Sequence, residues 1–151
     1  MQIPTSYQKP DYTNRHTIIS DNTRIIQVNL NRSQAATKNT LQLAIELKVD
    51  IIVVQEPFIT RGDDGNIDLI TARSIAHPSF TQILPKYSGF RPRTLVYVSK
   101  TYKPTTSIST ISPVDSDFLI VSITQNNQKI RLYNIYNQNR QNDKSSHNYP
   151  L

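Results

Sequence analysis

The sequence predicts a mixed α/β domain, and three consecutive segments carry that expectation. Arg24 to Leu30 (RIIQVNL) is rich in β-branched side chains and reads as a strand that ends at Asn29 or Leu30. Gln34 to Lys48 places apolar residues at helical spacing, and Ile51 to Gln55 (IIVVQ) is the short continuous apolar run of a strand covered on both faces. A strand, a crossover helix and a second strand form a right-handed unit in which the strands lie parallel. Both strands then end on one edge of a sheet.

Each element has its own local reason. Ser33 offers a hydroxyl cap at the start of the helix. Ala36, Leu43, Ala44 and Leu47 share one helical face, Leu41 and Ile45 widen it, and Val49-Asp50 closes a helix of about four turns. Pro57 cannot continue a ladder, so the second strand stops before it. Arg61 to Asp68 (RGDDGNID) is turn chemistry, followed by a short mixed segment up to Ser79. Thr81 to Leu84 and Thr94 to Val98 read as strands separated by Pro85, Gly89 and Pro92. Tyr102 to Val114 is rich in Pro, Ser and Thr, with room for one short strand at Thr106 to Ile111. Phe118 to Thr124 and Lys129 to Tyr136 form a hairpin around Gln125-Asn126-Asn127-Gln128, because asparagine tolerates the positive φ of a tight turn.

Composition bounds the rest. A chain of 151 residues, 36% hydrophobic and 19% charged, supports one modest core. That core is expected over 23–137, after a polar arm over 1–22 expected to be flexible and before an almost non-apolar tail over 138–151 expected to be disordered. No apolar run approaches the ~18 residues of a membrane helix, and the N-terminus lacks the apolar centre of a signal peptide. The expectation is an intracellular protein with no membrane partner. Absence of cysteine excludes disulfides, a thiolate nucleophile and sulfur-based zinc sites. Seventeen Lys and Arg against eleven Asp and Glu leave a net charge of +6, which favours an anionic partner such as nucleic acid.

The chemistry concentrates at the shared strand edge, where Asn29, Asn31 and Glu56 should converge. Glutamate is scarce, only Glu46 and Glu56 being present. A carboxylate just beyond a buried strand suits a hard divalent cation that also keeps waters. The asparagines suit a phosphate or a metal-bound water, and equally suit turn backbone. Arg91, Arg93 and Lys100, with Tyr97 between them, form a basic segment with an aromatic, compatible with contact to a nucleic-acid backbone or with a solvated edge.

IIQVNLNRSQAATKNTLQLAIELKVDIIVVQEPF resembles the opening of the endonuclease/exonuclease/phosphatase (DNase I-like) domain of LINE-like, non-LTR retrotransposons. RPRTLVYVSK resembles the family's next strand, and DFLIVSITQNNQKIRLYNIYN resembles the hairpin that ends in its Asn-(Ile/Val)-Tyr segment. The resemblance spans Thr23 to Asn137 and implies part of a four-layer α/β sandwich with Mg²⁺-dependent cleavage of DNA phosphodiesters. It implies catalytic roles for Asn29, at the phosphate site, and for Tyr136, at the scissile phosphate. It implies metal-site roles for Glu56 and Asn31, DNA as partner and a nuclear location, and the basic segment makes Arg91 and Arg93 the candidate contacts to that DNA.

The sequence also departs from the family pattern. Asn137-Gln138 stands where Ala-Pro usually follows the tyrosine. The Gly-Asp-x-Asn and Ser-Asp-His segments of the family's second half have no counterpart, since Asp143 and Ser146-His147 lack the required neighbours. The expectation is therefore a domain with its second half missing, inactive alone, whose uncovered hairpin strands favour self-association. A non-catalytic basic nucleic-acid-binding protein is the alternative, and a small phosphatase or nuclease completed by a partner is a third reading. Arg61-Gly62-Asp63 reads as a turn rather than an adhesion signal, and the acidic run Asp63 to Asp68 has the wrong offsets for a calcium loop.

Overall fold

A computed structural model of the protein describes residues 22–102, 107–110, 115–125 and 127–137. Apart from Asn22, the expected arm and tail lie outside the described residues, as do Asn126 and parts of the Pro-, Ser- and Thr-rich segment. Eight elements follow in chain order: β1 (Ile25–Asn29), α1 (Gln34–Glu46), β2 (Ile51–Gln55), β3 (Phe80–Ile83), β4 (Thr94–Ser99), β5 (Ser107–Thr110), β6 (Phe118–Gln125) and β7 (Gln128–Ile135). Every expected strand is present. Most differ by a residue or two at their ends, and Tyr136 lies just beyond β7 rather than within it.

Two sheets result. The first has the order β1-β2-β4-β3, with β1 parallel to β2 and β4 antiparallel to its neighbours; the second is the antiparallel sheet β5-β6-β7. In the parallel pair Asn29 faces Gln55, so the two strands end together. β4 starts at that same edge because Thr94 pairs with Gln55.

Helix α1 is fixed at both ends. The Ser33 hydroxyl accepts from the Ala36 amide at 3.1 Å, which satisfies one of the otherwise unpaired first-turn donors. At the C-terminus Lys48 adopts a left-handed φ of 53°, and the amides of Lys48 and Val49 donate back to the carbonyls of Ile45 and Ala44. This wrap ends the helix at Glu46, short of the expected Lys48. The packed face also differs from the expected one. Thr37, Leu41 and Ala44 are buried, whereas Leu43 and Leu47 are about half exposed, at 49% and 50%. Apolar residues surround this helix, so spacing alone could not choose a face. Thr37 joins the buried face because its hydroxyl donates to the Ser33 carbonyl at 2.7 Å and brings no unpaired group with it.

The core has two layers, one on each side of the first sheet. Ile52, Val54, Leu95 and Tyr97 meet Leu41 and Ala44 of the helix. Ile51, Val53, Val96 and Val98 meet Leu119, Val121 and Ile123 of the second sheet. β2 and β4 are thus covered on both faces, which is why each is a nearly continuous apolar run. Helix, first sheet and second sheet make three layers among the described residues. On the outer side of the second sheet Tyr133 and Ile135 remain 56% and 50% exposed.

Candidate active site

The edge where β1 and β2 end and β4 and β6 begin gathers side chains from five segments. Asn29 ends β1, and its side-chain oxygen accepts from the Asn31 amide at 2.9 Å, so it shapes the turn rather than reaching freely across the edge. Asn31 and Arg32 then take left-handed φ values of 47° and 56°. Glu56, the residue after β2, does the same at 49°, although it precedes a proline. Such backbone costs about 1–3 kcal/mol per residue and persists only where neighbours over-determine it. Three bonds do so here: Leu30 N to Gln55 O (3.0 Å), Arg32 N to Glu56 O (2.8 Å) and Glu56 N to Arg93 O (3.0 Å). The strained turn lifts the Glu56 side chain out of the ladder and onto the edge.

The second sheet contributes from the other side. β6 and β7 pair so that Phe118 faces Ile135, which puts Asp117 beside Tyr136; the Tyr136 amide donates to the Asp117 carbonyl at 2.8 Å. The Tyr136 hydroxyl donates to Glu56 Oε1 at 2.6 Å. Arg93 grips Asp117 through two bonds, Nε to Oδ1 at 2.5 Å and Nη2 to Oδ2 at 2.7 Å, and its guanidinium lies 5.1 Å from the centre of the Tyr136 ring. Acceptance by Glu56 pushes the Tyr136 phenol above its ordinary pKa, burial and the Glu56 charge add to this, and Arg93 and Arg32 oppose it. At neutral pH Tyr136 is therefore a hydrogen-bond donor.

Three further bonds lock the sheets together behind this edge. Buried Asn134 donates from Nδ2 to the carbonyls of Val54 and Leu95, at 2.8 and 3.1 Å, and Gln55 donates to the Ile135 carbonyl at 2.8 Å. Glu56 and Tyr136 are thereby held in register across two separate sheets.

Of the residues singled out from sequence, Asn29, Asn31, Glu56, Tyr136 and Arg93 come together at this edge, and Arg91 lies close to it. Lys100 does not, because it follows the far end of β4, and Tyr97 is buried in the helix-side core with its hydroxyl bonded to the Ile75 carbonyl at 2.9 Å. The expected basic-aromatic segment is thus split by strand alternation and length. Sequence reasoning missed Arg32, Asp117 and Asn134. Arg32 could have been found as the residue next to Asn31 in the turn, whereas Asp117 and Asn134 carry no local signal.

Among the described residues no three His, Asp, Glu or Cys side chains cluster as a metal cage. Glu56 offers one carboxylate, whose Oε2 accepts no hydrogen bond among the described residues. This fits Mg²⁺, which is commonly held by one or two carboxylates together with waters and substrate phosphate. The described histidine, His77, lies away from this edge and accepts from the Ser79 amide at 3.1 Å. No described helix is long and apolar enough to cross a membrane.

No family model and no curated protein matches the sequence. Among solved structures the chain is similar to the endonuclease domain of TRAS1, a telomere-specific non-LTR retrotransposon, with a TM-score of 0.57 and 18% identity over 83% of this chain and 49% of that one. The chain thus spans about half of that domain's length, and over that span it shares the α/β fold of that endonuclease domain.

Proposed function

We propose that this chain carries the phosphate- and metal-binding first part of a retrotransposon-type, Mg²⁺-dependent DNA endonuclease. The observation that supports it best is the bond between Tyr136 and Glu56, which joins two sheets at one strained edge in a fold shared with a nuclease domain. In this reading Glu56 holds the cation, Asn31 stands beside it, Asn29 shapes the turn at the phosphate, and Tyr136 offers its hydroxyl to a non-bridging phosphate oxygen. A bound Mg²⁺ would supply charge neutralisation at the phosphoryl group. Arg93 acts through Tyr136, fixing the ring and adding positive charge nearby, while Arg91 faces the DNA backbone.

Hydrolysis also needs a proton acceptor within reach of the attacking water, and no described histidine lies at this edge. The chain alone is therefore expected to bind DNA and Mg²⁺ together without cutting. Mg²⁺ should tighten binding of a duplex oligonucleotide to the native chain and have no such effect on Glu56→Gln, and nicking of supercoiled plasmid should not exceed that of Glu56→Ala. Binding that ignores both Mg²⁺ and Glu56 would favour the second reading, a non-catalytic nucleic-acid-binding protein. Nicking that vanishes in Glu56→Ala would show that the chain is competent by itself. We place the protein in the nucleus on this reading.

A further inference from the structure

We propose that Arg32, Arg61 and Arg91 form a phosphodiester-binding subsite beside Glu56 that grips the DNA backbone without the metal. The three arginines are distant in sequence and come from three different loops. Arg32 is held at the edge by the hydrogen bond that its backbone N–H donates to the Glu56 carbonyl. Arg61 projects from the turn after β2, with Nη1 donating to the Gly65 carbonyl at 2.9 Å. Arg91 leads into β4, and its Nε is buried with no hydrogen-bond partner among the described residues.

Unlike Arg93, which has Asp117, none of the three has an acidic partner within ion-pair distance among the described residues. Arg91 also bears its charge at a cost. Burial lowers its pKa from the ordinary arginine value, and repulsion from Arg32 and Arg61 lowers it further. A guanidinium remains protonated under these conditions, so the free protein contains an unrelieved concentration of positive charge. A group of like charges without a counter-charge lacks an anion, and one with several oxygens answers all three guanidinium groups. A phosphodiester supplies it, and guanidinium forks match its geometry. Clustered charges that destabilise the free protein are characteristic of binding sites rather than of packing.

The inference rests on the nucleic-acid reading above, but its test avoids the metal. Binding of a labelled DNA duplex to the full chain is followed by fluorescence anisotropy in EDTA across a salt series. Arg91→Gln and Arg61→Gln should each weaken binding about tenfold, as loss of a charged hydrogen bond does, and should lower the salt slope by about 0.9, one phosphate contact. Lys100→Gln at the opposite edge and Arg131→Gln on the outer face of β7 remove the same charge and should do much less. Equal losses in all four variants would reduce the effect to net charge and overturn the subsite, as would unaltered binding in the first two or no binding in EDTA. Thermal melting verifies folding. If Arg91→Gln fails to fold, Arg61→Gln, on an exposed turn, still decides. Failure of Glu56 to govern Mg²⁺-dependent binding would sink the nuclease reading and leave this result standing.

Discussion

At the scale of single residues, Tyr136 joins the two halves of the edge because one hydroxyl proton is shared with Glu56. Its pKa lies above the ordinary tyrosine value, chiefly through that bond, and Tyr97 is raised as well, chiefly by burial. The sign of the linkage follows directly. A phenol whose folded pKa exceeds its unfolded one stabilises the fold fully below the unfolded value, near pH 10, and the contribution is lost as pH rises through the folded value. Ultraviolet titration of the phenolates should therefore show two of the described tyrosines, Tyr97 and Tyr136, ionising late. In Glu56→Gln one of them should return towards the ordinary value while Tyr97 stays raised. Two late tyrosines in that variant would show that Glu56 does not hold the Tyr136 proton.

The elements differ in how legible they were in the sequence, for physical reasons. β2 could be read because four consecutive β-branched side chains need cover on both faces, and the structure supplies it. Helix α1 could be located but not oriented, because Leu41 and Ala44 point inward while Leu43 and Leu47, equally apolar, do not. Glu56 was legible as a scarce carboxylate beyond a buried strand. The arginine group was not, since Arg32, Arg61 and Arg91 become neighbours only through sheet order. Asn134 was hidden for a different reason. A polar side chain in a strand reads as solvent-facing, yet this one is 1% exposed and ties β7 to β2 and β4. Asn134→Ala should cost about 1–3 kcal/mol, the penalty of leaving buried polar groups unpaired, and Leu119→Ala about 2–5 kcal/mol, the range for a cavity in a packed interior. Chemical denaturation measures both. A loss near zero for Asn134→Ala would mean that the sheets keep their register by apolar packing alone.

At the scale of the whole molecule, the three layers leave one sheet face uneven in character. The inner face of the second sheet is sealed by Leu119, Val121 and Ile123 against the first sheet. The outer face divides along its length: Phe118, Tyr133 and Ile135 lie towards the edge that carries Glu56 and Tyr136, and Lys129 and Arg131 lie towards the turn, opposite Thr124 and Ser122. Phe118 and Tyr133 already lean together, with ring centres 6.4 Å apart, yet Tyr133 and Ile135 stay about half exposed. Apolar side chains grouped on a sheet face favour association, whereas the cations on β7 oppose edge-to-edge pairing. We propose that copies of the isolated chain associate face to face through the apolar end. Sedimentation should show mass rising with protein concentration, and Tyr133→Lys with Ile135→Lys should restore a monomer without lowering the melting temperature, since neither residue belongs to the core. A monodisperse native chain would mean that this face is tolerated in water, and a double variant that still associates would move the contact elsewhere, with the exposed Leu43 and Leu47 face of α1 as the next surface to test.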